Sequence, residues 1–136
     1  MSDTSAGSDE IENLEEIRAI FQPDTVQEVM ARLEASNSEF GEKTRKMMTY
    51  MSPLSLAVVF EQIKKGQSMD VRDVFQMEYG ISQGYMMNHT EFFEGVRALL
   101  IDKDRSPKWR HANVSEITRE EVNMFFERPE TCNLDL

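Results

Sequence analysis

Residues 52–66 read Ser-Pro-Leu-Ser-Leu-Ala-Val-Val-Phe-Glu-Gln-Ile-Lys-Lys-Gly, and this stretch decides the fold class. Serine is a strong helix N-cap, and proline at the first helical position gives up only an N–H that would have no partner. Leu56, Val59, Phe60 and Ile63 follow at the spacing of one helical stripe, and Gly66 stands where a glycine ends a helix. A strand would alternate with a period of two, and nothing in this stretch does so.

The same helical period extends in both directions. From about Glu10, the residues Ile11, Leu14, Ile17 and Ile20/Phe21 recur at helical spacing, while Glu12, Glu15 and Glu16 suit the positive end of the helix dipole. Pro23-Asp24 breaks that helix, and Thr25-Val26-Gln27-Glu28 has the form of a capping box opening a second, with Val26, Val29, Met30 and Leu33 on its apolar face. Ser36-Asn37-Ser38 caps a third helix carrying Phe40, Met47, Met48 and Met51.

Downstream, the longest helix is expected from Met69 or Asp70 to Met87, with Val71, Val74, Phe75, Met77, Ile81 and Tyr85 buried to different degrees and Asn88 as its terminator. Thr90 can cap a helix from Glu91 to about Ile101. Asp102 to Asn113 forms a polar loop holding Pro107 and the sole tryptophan, Trp109. Thr118-Arg119-Glu120-Glu121 is a second capping box, opening a short helix with Val122, Phe125 and Phe126 before Pro129 begins an irregular tail. The expectation is an all-α chain of about six helices, with residues 1–9 a flexible polar lead-in and 10–136 one helical domain. Gly80 and Gly84 each cost about 1 kcal/mol relative to alanine in a helix interior, so something should offset that cost; close approach of another helix is the expected reason, with a ligand contact as the alternative.

Composition narrows the function classes. A net charge of −10 repels phosphate backbones and anionic headgroups, and Lys43/Arg45/Lys46 and Lys64/Lys65 are too short to reverse it, so neither nucleic acid nor membrane is an expected partner. No apolar run approaches the roughly 20 residues of a membrane span, and the opening Met-Ser-Asp-Thr-Ser-Ala-Gly-Ser has the features of neither a signal nor a transit peptide. The expectation is a soluble intracellular chain. One cysteine, Cys132, and two histidines, His89 and His111, provide neither an internal disulfide nor a zinc set, so no metal is expected.

Individual residues offer little chemistry. Asp102-Lys103-Asp104-Arg105-Ser106 begins like a calcium loop, but Pro107 and Asn113 stand where the turn glycine and the bidentate glutamate belong. His89 with Glu91 or Glu94 could form an acid–base pair, yet nothing near them in sequence is a nucleophile or an oxyanion donor, and a surface or capping histidine is the simpler reading. The ten methionines fit a Met-rich helical core, with a pliable partner groove as the alternative.

Three further segments carry a resemblance. Met51-Ser52-Pro53-Leu54-Ser55-Leu56, then Met77-Glu78-Tyr79 with Ile81-Ser82-Gln83, then Phe93-Glu94-Gly95-Val96-Arg97-Ala98 running into Leu100-Ile101-Asp102-Lys103-Asp104 and Ser106-Pro107-Lys108-Trp109, resemble in order and spacing the C-terminal region of the 3-hydroxyisobutyryl-CoA hydrolase family, within the crotonase superfamily. The resemblance runs from about Ile11 to Leu136 and covers that family's C-terminal third. It implies a mitochondrial matrix enzyme of valine breakdown that cleaves 3-hydroxyisobutyryl-CoA to the free acid and CoA, with CoA entering as part of the substrate and no separate cofactor. The family's catalytic carboxylates and oxyanion hole lie in the preceding β-rich core, so no catalytic residue is carried onto this chain. Lys103, Lys108 and Trp109 are the candidate edge of the CoA site, forming part of a lid. The expected partners are that core and further copies of the chain, through exposed helix faces such as Leu56/Val59/Phe60/Ile63 and Phe92/Phe93. Two other readings stand beside this one: a non-catalytic helical protein-interaction module, and a crotonase-like structural subunit of a larger assembly.

Overall fold

The computed structural model describes residues 13–88 and 91–127, with the side chain of Asn88 left aside. The expectations for the lead-in at 1–9, Ile11, His89, Thr90, Cys132 and the tail after Pro129 lie outside the described residues. Seven α-helices and no strand occur among those described: α1 Leu14–Phe21, α2 Val26–Ala35, α3 Glu39–Tyr50, α4 Pro53–Gly66, α5 Val71–Asn88, α6 Glu91–Val96 and α7 Arg119–Asn123.

The starts obey the capping chemistry. Thr25, Ser38, Ser52 and Thr118 each accept a hydrogen bond on the side-chain oxygen from the backbone N–H three residues on. Both halves of the box form at Thr118 and Glu121, whereas Thr25 makes the hydroxyl half. Asp70 opens α5 by accepting from the Asp73 N–H at 2.9 Å.

Helix α4 is the central element, touching α2, α5, α7 and a 3-10 turn at Val114–Glu116. Its buried face is Leu54, Ala57 and Val58, which join Val26, Met77, Ile81 and Phe125 in the main core. The expected stripe was turned away from this face: Leu56 and Phe60 are half-buried, while Val59 and Ile63 remain 47% and 61% exposed. From Leu54 to Phe60 only Ser55 interrupts an apolar run, so the spacing fits two helical phases, and the small Ala57 and Val58 allow the closer approach. On α5, Met77 and Ile81 are buried and Val74 and Tyr85 half-buried, but Val71 and Phe75 face outward. A second core of Ile20, Val29 and Leu33 joins α1 to α2, with Met30, Met48 and Phe60 packed against both cores. Methionine thus fills the seam between the two cores, although Met47, Met51, Met86 and Met87 are exposed.

The two glycines of α5 differ. A Cβ on Gly84 would lie 2.9 Å from Phe125 Cδ1, so close approach explains that position. On Gly80 a Cβ would meet nothing within 4 Å among the described residues, contrary to the expectation.

The helix from Glu91 does not run regularly to Ile101. After Val96 it widens into one π turn at Arg97–Ile101, closed by the Asp102 N–H donating to the Arg97 carbonyl at 2.8 Å. The Ala98 carbonyl instead accepts from the Arg105 N–H at 3.0 Å, so the following loop folds back onto the turn. Helix α7 is likewise shorter than expected, and Phe125 reaches the core from the turn behind it.

Candidate functional site

The loop after the π turn is densely hydrogen-bonded, and one guanidinium organises it. Arg97 donates from Nε and Nη2 to the two oxygens of Glu94 at 2.9 and 2.7 Å, a planar fork-to-fork contact. Its Nη1 reaches Asp102 Oδ2 at 2.6 Å and Asp104 Oδ2 at 2.7 Å, and Nη2 also donates to the Ser106 carbonyl at 3.2 Å. Glu94 further accepts the Lys108 N–H at 2.6 Å. The Arg97 hydrogen bond first, and the Lys108 N–H second, hold the Glu94 carboxyl down to about 2 from 4.5. Asp104 is lowered by Arg97 and then by the Ser106 N–H, and Arg97 itself is raised by the three carboxylates.

Two more fastenings come from distant sequence. The Trp109 indole N–H donates to the Tyr50 carbonyl at 3.1 Å, and the Tyr50 hydroxyl donates to the Arg105 carbonyl at 2.7 Å. Gly95 admits the indole, since a Cβ there would already touch Trp109 Cη2 at 3.4 Å. Buried Glu91 accepts from the Ser52 hydroxyl and from the Arg110 N–H at 3.1 Å, tying the loop's far end to the start of α4. His111 Nε2 lies 2.9 Å from Glu121 Oε1, extending the chain of contacts to the capping box of α7.

These bonds hold the backbone where it would not otherwise stay. Lys103 and Arg105 have φ values of 55° and 52°, the left-handed region, which costs roughly 1–2 kcal/mol for each residue bearing a Cβ. Such conformations persist only where the surroundings fix them, and they concentrate at functional positions.

Of the residues singled out from sequence, Lys103, Lys108 and Trp109 all belong to this loop. Lys103 and Lys108 project exposed side chains, whereas Trp109 is half-buried and pins the loop to the end of α3. Glu94, considered as a proton-transfer group, is instead an ionised carboxylate engaged with Arg97. The sequence reading missed Arg97, although its i, i+3 spacing from Glu94 and the alternating Asp102 and Asp104 were visible. It also missed Tyr50, whose partners lie 55 and 59 residues away.

Apolar surface adjoins the loop. Leu99, Leu100 and Ile101 are 60%, 63% and 69% exposed in succession, and Phe92 and Phe93, in edge contact at 5.5 Å, lie about two turns before them. An open groove of about 810 Å³ lies elsewhere, between the start of α2, α4 and α7, with Lys64 bridging to Asp24 at 3.0 Å on one wall.

Glu94, Gly95, Arg97, Asp102, Asp104, Lys108 and Trp109 therefore form one physical unit. The family model for enoyl-CoA hydratase/isomerase matches residues 1–126. The chain belongs to the enoyl-CoA hydratase/isomerase family. Within it, the chain is 41% identical over 115 residues to proteins named mitochondrial 3-hydroxyisobutyryl-CoA hydrolase from Xenopus laevis and from Homo sapiens, covering 85% of this chain and 30% of each relative. The protein of that name from Dictyostelium discoideum is 41% identical over 127 residues, covering 92% of this chain and 33% of the relative. The chain thus spans about a third of the length of these family members. Among solved structures, an enoyl-CoA hydratase from Rhodobacter sphaeroides superposes with a TM-score of 0.77 at 35% identity, covering 84% of this chain and 34% of that one. A carnitinyl-CoA dehydratase from Mycobacterium thermoresistibile gives 0.76 at 27% identity, covering 85% and 33%. An all-α piece of this enoyl-CoA hydratase/isomerase family is what these coverages and the helices together describe.

Proposed function

We propose that this chain is the C-terminal helical part of a CoA-thioester hydrolase that converts 3-hydroxyisobutyryl-CoA to 3-hydroxyisobutyrate and CoA in the mitochondrial matrix. The observation that carries the proposal is the agreement between sequence and structure in the Glu94–Trp109 segment. The motifs that point to the hydrolases are the residues that build the clasped loop. In this reading the chain supplies packing surface and an edge of the CoA site, cationic through Lys103 and Lys108 and held in place by Trp109, and no catalytic group. Thioester cleavage needs preorganised donors aimed at a developing oxyanion, and those come from the enzyme's other portion.

The partner in this proposal is the β-rich core of the same enzyme. Its contact surface comprises Phe92, Phe93 and Leu99 to Ile101, with Val59, Ile63 and Phe75 as a second face open to the core or to another copy. Contiguous apolar patches beyond several hundred Å² are seldom left bare on monomers.

A chimera tests this. The C-terminal region of the human hydrolase aligned with this chain is replaced by the chain itself, and CoA release from 3-hydroxyisobutyryl-CoA is followed with a thiol reagent. Hydrolysis by the chimera, absent from the human core alone and from this chain alone, is the expected result. A soluble, folded chimera that releases no CoA sinks the proposal.

A further inference from the structure

The loop at 102–110 sorts its charges. It contains two carboxylates and four cations, Lys103, Arg105, Lys108 and Arg110, in a chain whose net charge is −10. Both carboxylates are drawn onto Arg97, at 2.6 and 2.7 Å. Among the described residues no ion pair engages Lys103, Arg105 or Lys108, and Arg110 has only a long contact of 3.8 Å to Glu121. Asp102 and Asp104 alternate with Lys103 and Arg105, and the left-handed backbone at the two cations lets four consecutive residues divide in this way. An arrangement that spends its acids internally and holds strained backbone to keep its cations free is suited to an anion with more than one charged group.

We propose that Arg97 is a positioning residue: by holding Asp102 and Asp104 it fixes the loop backbone in the form that presents Lys103, Arg105 and Lys108 together as an unneutralised edge, which binds the phosphate groups of a coenzyme A thioester. This rests on the reading of the loop as a CoA edge given above. Lysine can replace Arg97 only in part, because an ammonium carries the charge but lacks the planar fork that engages Glu94 on one side and two aspartates on the other.

The test uses the 136-residue chain, titrated with coenzyme A, with pantetheine and with inorganic phosphate, and followed by backbone amide shifts at low and high salt. Wild type should bind coenzyme A, more weakly as salt rises, and should bind pantetheine and inorganic phosphate far less. Arg97→Gln should weaken binding by about tenfold, the loss expected for one charge-assisted contact, and Arg97→Lys should recover only part of it. The decisive variant is Asp102→Asn/Asp104→Asn, which keeps the Arg97–Glu94 pair and carries the test alone if Arg97→Gln fails to fold. Counting charge alone, removal of two negative groups should tighten binding, whereas positioning requires it to weaken. Tighter binding by the double variant, or unchanged binding by a folded Arg97→Gln, overturns the role of Arg97 and leaves the CoA edge standing. A wild-type chain indifferent to coenzyme A removes the edge itself and the inference with it. Inorganic phosphate bound as tightly as coenzyme A overturns the assignment to a CoA thioester.

Discussion

Replacing each glycine of α5 by alanine should change stability in opposite directions. In a helix interior alanine is favoured over glycine by about 1 kcal/mol, through lower backbone entropy in the unfolded chain and better shielding of the helix. At Gly80 nothing among the described residues stands within 4 Å of the new methyl, so that gain should appear nearly whole. At Gly84 the methyl would sit 2.9 Å from Phe125 Cδ1 and 3.5 Å from Cε1, with the Phe125 Cα at 3.7 Å. The ring has little freedom to retreat, being buried in the main core and packed 4.6 Å from Tyr85. Overpacking of this kind costs typically 1–3 kcal/mol, which offsets the propensity gain and leaves Gly84→Ala destabilised by up to about 2 kcal/mol. For a domain of this size each kcal/mol moves the melting temperature by roughly 3–5 °C. Thermal unfolding followed by far-UV circular dichroism should place Gly80→Ala above wild type and Gly84→Ala below it. A Gly84→Ala variant as stable as Gly80→Ala would refute the assignment of Gly84 to close packing.

Three further outcomes follow from the same contacts. Thr118→Ala removes the hydroxyl that accepts the Glu121 N–H at 3.2 Å and should cost about 1 kcal/mol in urea unfolding, with Thr118→Ser losing much less. The Glu94 carboxyl is depressed in the folded chain, so it stabilises the fold fully above its unfolded value of 4.5, and that contribution disappears as pH falls toward about 2. Acid unfolding curves of Glu94→Gln should therefore be flatter than wild type across that window, and parallel curves would show the carboxyl to be uncoupled from folding. Leu100→Asp with Ile101→Asp, at two of the most exposed apolar side chains, should leave the helical signal intact while lowering self-association in sedimentation and abolishing activity in the chimera. Unchanged association and activity would remove that face from the proposed contact surface.

How far the molecule was legible depended on the range over which each feature is decided. Helix starts are local: Thr25, Ser38, Ser52 and Thr118 sit within four residues of the N–H groups they cap, and all four were readable. The inward face of α4 is not local. Leu54, Leu56, Ala57, Val58, Val59 and Phe60 are all apolar, and only the neighbours, with Val26, Ile117 and Phe125 packed in the same core, determine which of them is covered. The break at Arg97 belongs between these cases. The apolar period through Leu99, Leu100 and Ile101 predicts an unbroken helix, but the bonds that widen the turn join Arg97 to residues five to nine positions ahead, beyond the reach of helical spacing. Tyr50 lies further out still, and no pattern in its own segment announces that its carbonyl and hydroxyl will hold Trp109 and Arg105. The sequence motif was therefore recognisable before its physical meaning was. Glu94 and Gly95 supply the acceptor and the space, Arg97 gathers the two aspartates, and Trp109 closes the loop onto α3. What these residues specify together is the placement of the cations between them, a property no one of them carries alone.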